Sequence, residues 1–165
     1  MRKIMIVAAA AIAMMTACSS IECPIDNIVA TVYTLYRADG TADTLRSDTL
    51  TIVSPKPNGR DTTLLNRSIG ATTFQLPMSY NNAVDTLYLT LADTAETNHK
   101  IYFDTIYITK TNTPYFQSVD CNLSYFHEIT NIWHTHNRLD SIVINKPTVD
   151  YDLTNDHLRI YFKKP

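Results

Sequence analysis

The sequence has little glycine, little cysteine, few glutamates and no long apolar run after its first residues, and each shortage removes a class of protein. Three glycines in 165 residues leave no Gly-rich phosphate loop and no Gly-x-Ser-x-Gly elbow. Three cysteines without a Cys-x-x-Cys pair leave no thioredoxin-like redox motif and no zinc knuckle. Only Glu22, Glu96 and Glu128 are available as glutamates for a glycosidase pair, although aspartates could serve. Fourteen basic against 16 acidic residues form no basic stripe, so nucleic acid is excluded as a partner. No catalytic residue, cofactor site or metal site is assigned, and an enzyme is not expected.

What is present begins with an address. Arg2 and Lys3 precede an apolar stretch from Ile4 to Met15, and Thr16-Ala17 places small residues before Cys18. That is the three-part secretory pattern, and about 12 apolar residues fall short of the roughly 17 that a transmembrane helix needs. The cysteine directly after the small residues resembles a bacterial lipobox, with Met15 where Leu is usual. Residues 1–17 are therefore read as a lipoprotein signal peptide, Cys18 as the lipidated residue, 18–27 as a tether and 28–165 as the domain. A plain secreted protein is the alternative. Ser19 after the cysteine favours the outer membrane, and the lack of a following acidic run favours its periplasmic side.

The 148 residues after the cut hold 12 basic and 16 acidic side chains, a net charge of −4, and suit one domain. With Cys18 carrying lipid, Cys23 and Cys121 are left to pair as a disulfide in an oxidising compartment, or to stay as two buried thiols. The bridge would close a loop of nearly a hundred residues, for which chain entropy gives about 4–5 kcal/mol.

Short runs rich in Thr, Tyr, Ile, Val and Leu recur between clusters of Asn, Asp, Pro and Gly, which predicts strands. Ten are expected: 28–36, 49–53, 62–66, 72–76, 84–91, 101–109, 115–121, 125–134, 139–145 and 158–162. Asn112-Thr113-Pro114 and Lys146-Pro147-Thr148 read as turns. Leu87, Leu89 and Leu91 alternate with Thr86, Tyr88 and Thr90, and Leu158, Ile160 and Phe162 with Arg159, Tyr161 and Lys163, so these strands are wet on one face. Val29, Val32, Tyr33 and Leu35 make the first run apolar on both faces and place it centrally. The fold class is all-β, an immunoglobulin-like antiparallel two-sheet sandwich, with a small β-barrel as the alternative.

Seven of the 13 aspartates open an Asp-Thr/Ser tripeptide that continues with a hydrophobic residue or Thr, as at Asp48-Thr49-Leu50, Asp85-Thr86-Leu87, Asp104-Thr105-Ile106 and Asp140-Ser141-Ile142. Aspartates in phase with the core positions mark the rim of a sheet, where a carboxylate accepts a loop N–H. By the same parity Thr49, Thr86, Thr105 and Ser141 face away from the core. The tripeptide resembles the acceptor motif of the general O-glycosylation system of Bacteroidetes, which makes those four hydroxyls candidate modification sites. Asp85 and Asp104, on successive strands, fall at opposite ends of a hairpin and do not gather calcium.

His134-Thr135-His136 puts two imidazoles on one strand face, with His157 as the third ligand a metal would need and His127 out of phase; the bland reading is hydrogen-bonded surface histidines. Tyr88, Tyr107 and Tyr161 face outward, an arrangement that stacks on a sugar ring or packs across strands. The blocks Glu22-Cys23-Pro24, Leu65-Asn66-Arg67-Ser68, Phe74-Gln75-Leu76-Pro77-Met78-Ser79-Tyr80, Val119-Asp120-Cys121 and His157-Leu158-Arg159-Ile160-Tyr161-Phe162 resemble a family of small Bacteroidetes cell-envelope lipoproteins of uncharacterised function. That resemblance implies the envelope address and no activity. The expected function is a non-catalytic binding or assembly accessory, partnered by the membrane through its lipid and by an envelope protein or a glycan. A glycan- or small-ligand-binding lipoprotein is the main alternative, and a fimbrial-type subunit a third.

Overall fold

The computed structural model describes residues 28–37, 39–45, 48–56, 59–93, 100–119 and 121–163. Cys18 and Cys23, with the predicted signal peptide and tether, lie outside the described residues. Ten strands follow in chain order: β1 Thr31–Arg37, β2 Asp48–Ser54, β3 Thr62–Ile69, β4 Thr73–Leu76, β5 Val84–Asp93, β6 Ile101–Tyr115, β7 Ser124–His134, β8 Leu139–Ile144, β9 Thr148–Val149 and β10 Leu158–Phe162. They form two sheets, one of four strands in the order β4-β1-β10-β8 and one of six in the order β3-β2-β5-β6-β7-β9. The all-β two-sheet sandwich is the fold expected from the sequence.

Period-two alternation builds the core. Leu87, Leu89 and Leu91 of β5 and Leu158, Ile160 and Phe162 of β10 are all buried, and they meet Leu50, Ile52, Ile106 and Ile108 between the sheets. Burying such side chains contributes roughly 1.5–3 kcal/mol each. β1, apolar on both faces, lies between β4 and β10 as its pattern requires.

Three details correct the sequence reading. First, β1 and β10 run parallel, pairing Leu35 with Ile160, so the sandwich is antiparallel except at this one pair. The chain between them passes through the larger sheet, so no tight turn dictates their relative direction. Second, Asn112-Thr113-Pro114 is not a turn but the far half of β6, which continues to Tyr115. β5 pairs with β6 only as far as Thr109, so beyond that point β6 has an open side where a proline removes no ladder hydrogen bond. The strand expected at 115–121 is accordingly absent beyond Tyr115, and that segment connects β6 to β7. Third, Thr148-Val149 forms the short strand β9, paired with β7 at His127 and Glu128, where a turn was read.

Candidate functional site

The outward face of the larger sheet carries exposed apolar side chains in place of the polar ones that usually cover a wet face. Tyr107 of β6 and Trp133 of β7 are register partners with rings 5.2 Å apart. Tyr88 stands diagonal to Tyr107 across the β5–β6 pair, and Phe103 lies opposite Thr90. Phe103 is 63% exposed, Trp133 57% and Ile101 54%, far above what packing alone would leave in an apolar row. Between them the outward positions of β5 and β6 are Thr, Ala and Val, without a charged side chain. A contiguous apolar patch with hydroxyls interleaved is the composition of a recognition surface, because Tyr and Trp bring large rigid contact area with a polar edge.

A second feature opens between the sheets at the end where β2 leaves and β5 enters. It is a cleft of about 460 Å³ whose walls include Tyr33, Leu64, Met78, Asp85, Leu87 and Ile108. The wall is held by a buried charge. The Lys110 side chain is fully buried, and its Nζ lies 3.5 Å from Asp85 Oδ2. That ammonium donates to the carbonyls of Ser79 and Asn82 and to Asn112 Oδ1, while Asp85 accepts the Ser79 N–H. Asn112 in turn donates to the Tyr80 and Asn82 carbonyls and accepts from His127 Nδ1 at 2.7 Å. One lysine and one asparagine thus fix the whole 79–82 connection over the cleft.

Burial pushes the Asp85 carboxyl up against the pull of Lys110 and Ser79, and burial pushes the Lys110 ammonium down against the pull of Asp85. Each group therefore depends on the other for its charge. Burial, with the Lys110 charge adding to it, lowers the His127 imidazole to about 4, so it is neutral at physiological pH. Burial also holds the Tyr33 hydroxyl well above the usual phenol range, with Asp85 acting in the same direction. The cleft combines an apolar floor, a phenol and a carboxylate, which can hold a small molecule and orient one polar group; among the described residues no nucleophile–base pair converges there.

A family model described as a family of unknown function, DUF6452, matches residues 49–162. The chain belongs to that family. No curated protein and no solved structure matches it. The DUF6452 span runs from β2 to the end of β10, so it contains the aromatic face and the Asp85–Lys110 pair, while Tyr33 of β1 precedes it.

Within the DUF6452 domain the sequence-predicted positions separate. Tyr88 and Tyr107 share the aromatic face, but Tyr161 lies on the smaller sheet, half-buried and stacked on Tyr36 at 5.5 Å. Thr86 and Thr105 are half-buried on the outward face, and Ser141 is half-buried on β8. Thr49 departs from the expected outward hydroxyl: it is 4% exposed, its Oγ1 donates to the Ala92 carbonyl, and it is flanked on both sides by register partners, Ile69 of β3 and Ala92 of β5.

The aspartates behave as rim groups. Asp104 accepts the Thr135 hydroxyl and the N–H groups of Asn137, Arg138 and Leu139. Burial opposes its charge, and those hydrogen bonds outweigh burial and hold the carboxyl below the usual range. Asp85 pairs with Ile108 at the open end of the β5–β6 ladder, whereas Asp104 pairs with Leu89 near its middle, so the two carboxylates are separated along the hairpin but do not stand at its opposite ends as the sequence suggested.

His134 and His136 do approach, with ring centroids 4.4 Å apart. His157 is elsewhere, wholly buried, its Nδ1 accepting the Val32 N–H. Among the described residues no three His, Cys, Asp or Glu side chains gather as a metal site. Cys121 is disulfide-bonded, and the chain's two other cysteines lie outside the described residues.

Sequence reasoning missed the buried lysine, yet its signal was present. Lys110 is in phase with Ile106 and Ile108, and Asp85 with Leu87 and Leu89, so two opposite charges were both marked as inward-facing on adjacent strands. Trp133 was likewise passed over, since only the β-bulge between Thr109 and Lys110 sets the register that puts it beside Tyr107.

Proposed function

We propose that this domain is a non-catalytic lipoprotein of the cell envelope that works as a binding accessory, anchored through Cys18 and engaging its partner with the outward face of the larger sheet. The observation that carries the reading is the uncharged row of Tyr88, Phe103, Tyr107 and Trp133, exposed on a rigid six-stranded scaffold. Aromatic anchors on an exposed sheet face suit a protein surface, where a few Tyr and Trp side chains dominate the energy. The disulfide at Cys121 agrees with an oxidising compartment, with Cys23 as its partner once Cys18 is lipidated.

The test is crosslinking and pull-down from native membranes with wild type and with the Tyr107→Ser/Trp133→Ser variant. A partner recovered with wild type and lost with the variant supports the proposal. Failure to recover any partner reproducibly, or recovery unchanged by the variant, defeats it.

The cleft favours a second reading, a lipoprotein that binds a glycan or a small apolar ligand. Tyr33 and Asp85 would meet the ligand's polar group while Leu64, Met78 and Ile108 cover its apolar body. A glycan array and a membrane-lipid extract are the probes. If both are blank at high protein concentration, this reading falls.

A further inference from the structure

Among the described residues, the connection between β6 and β7 carries three large apolar side chains exposed to solvent away from the sheet face. Phe116 is 61% exposed, Val119 86% and Leu123 50%, three within eight positions of one hairpin end. Tyr115, at the end of β6, stacks on Phe126 with centroids 4.3 Å apart, which braces the base of the connection that carries these three exposed side chains. Asp120 lies outside the described residues; the 116–123 segment contains no basic residue.

Cys121 lies in the same connection and is disulfide-bonded. The only other cysteines of the chain are Cys18 and Cys23. In the lipid-anchored reading, on which this inference rests, Cys18 carries the acyl chains and Cys23 is left for the bridge. Five residues extend at most about 18 Å, and a disulfide brings its two Cα atoms to roughly 6 Å. The hairpin end is therefore tied within about 24 Å of the lipid-bearing cysteine. β6 itself, 15 residues long, extends about 50 Å, so its Ile101 end is beyond that tether when the strand stands upright.

We propose that Phe116, Val119 and Leu123 insert into the leaflet that holds the Cys18 anchor, so that the domain stands on its β6–β7 end with the aromatic face directed sideways. The occupant of this surface is the lipid itself. Without a basic residue in the segment, contact depends on apolar insertion, and zwitterionic lipid suffices.

The experiment uses the full-length lipidated protein, purified from membranes and reconstituted in phosphatidylcholine vesicles with brominated acyl chains. Val119→Trp in a Trp133→Phe background reports the hairpin end, and wild type, whose one tryptophan is Trp133, reports the sheet face. The expected result is at least twofold quenching at position 119 with a blue-shifted emission, and no quenching of Trp133. Protein that floats with the vesicles while the tryptophan at 119 stays unquenched overturns the loop contact alone. The same unquenched result with a concentration-dependent dimer assigns the surface to a second copy and also overturns the proposal. Protein that fails to float overturns the anchor and this inference together.

Discussion

Lys110 gives the sharpest stability test. Replacing it by Met keeps the stem volume but removes the ammonium that serves the Ser79 and Asn82 carbonyls, the Asn112 side chain and Asp85. Asp85 would then keep the Ser79 N–H as a partner in a largely buried position without a cation. Breaking a buried pair from one side costs about 3–5 kcal/mol, a large share of the roughly 5–15 kcal/mol that holds a domain together. For a domain of this size the melting temperature should fall by roughly 10–15 °C. The double variant Asp85→Leu/Lys110→Met removes both charges and should recover at least about 1.5 kcal/mol of the loss, the coupling expected of a contacting pair. Urea unfolding of the four proteins of the cycle measures this directly. A single-variant cost under about 1 kcal/mol, or losses that add without coupling, would refute the claim that the pair holds the wall of the cleft.

Three further outcomes follow from the same structure. The His127 imidazole is held near 4 in the fold and near 6.5 in the unfolded chain, so the stability it supports is complete above about pH 6.5 and is lost as pH falls toward 4. That window is worth roughly 3 kcal/mol, partly opposed by the raised Asp85, and His127→Gln should flatten the decline in a pH series of urea midpoints. Asp104→Asn keeps one acceptor oxygen for four donors and should cost about 2–3 kcal/mol, measured by thermal unfolding; an unchanged melting temperature would mean that the 135–139 connection does not depend on it. Arg67 holds φ at 46°, where glycine is favoured, so Arg67→Gly should leave stability unchanged or raise it by up to about 1 kcal/mol, and a marked loss would contradict the left-handed assignment.

The strands were legible because one face of each is buried. In β5 and β10 three alternating buried apolar side chains, Leu87, Leu89 and Leu91 and then Leu158, Ile160 and Phe162, admit one register only. β1 could be placed centrally from its two apolar faces. Pro114 misled because its local meaning, a turn, holds only where both sides of a strand are paired, and pairing of β6 with β5 stops five residues earlier. β9 could not be read, since two residues carry no periodicity. The aromatic face was half visible: Tyr88 and Tyr107 followed from parity, while Trp133 joins them through a bulge that no composition announces. The cleft was invisible because its walls come from segments far apart in sequence, such as Tyr33 and Ile108. Thr49 shows the limit of parity, which gives the direction of a side chain but not which register partners flank it.

The central claim is that an exported, lipid-anchored domain carries these surfaces, and peptide mass spectrometry without reduction, on the mature protein from native membranes, tests it most directly. The account predicts a lipidated N-terminus at Cys18 together with a crosslinked peptide joining Cys23 to Cys121. An unmodified chain that retains Met1 and carries free thiols would contradict it.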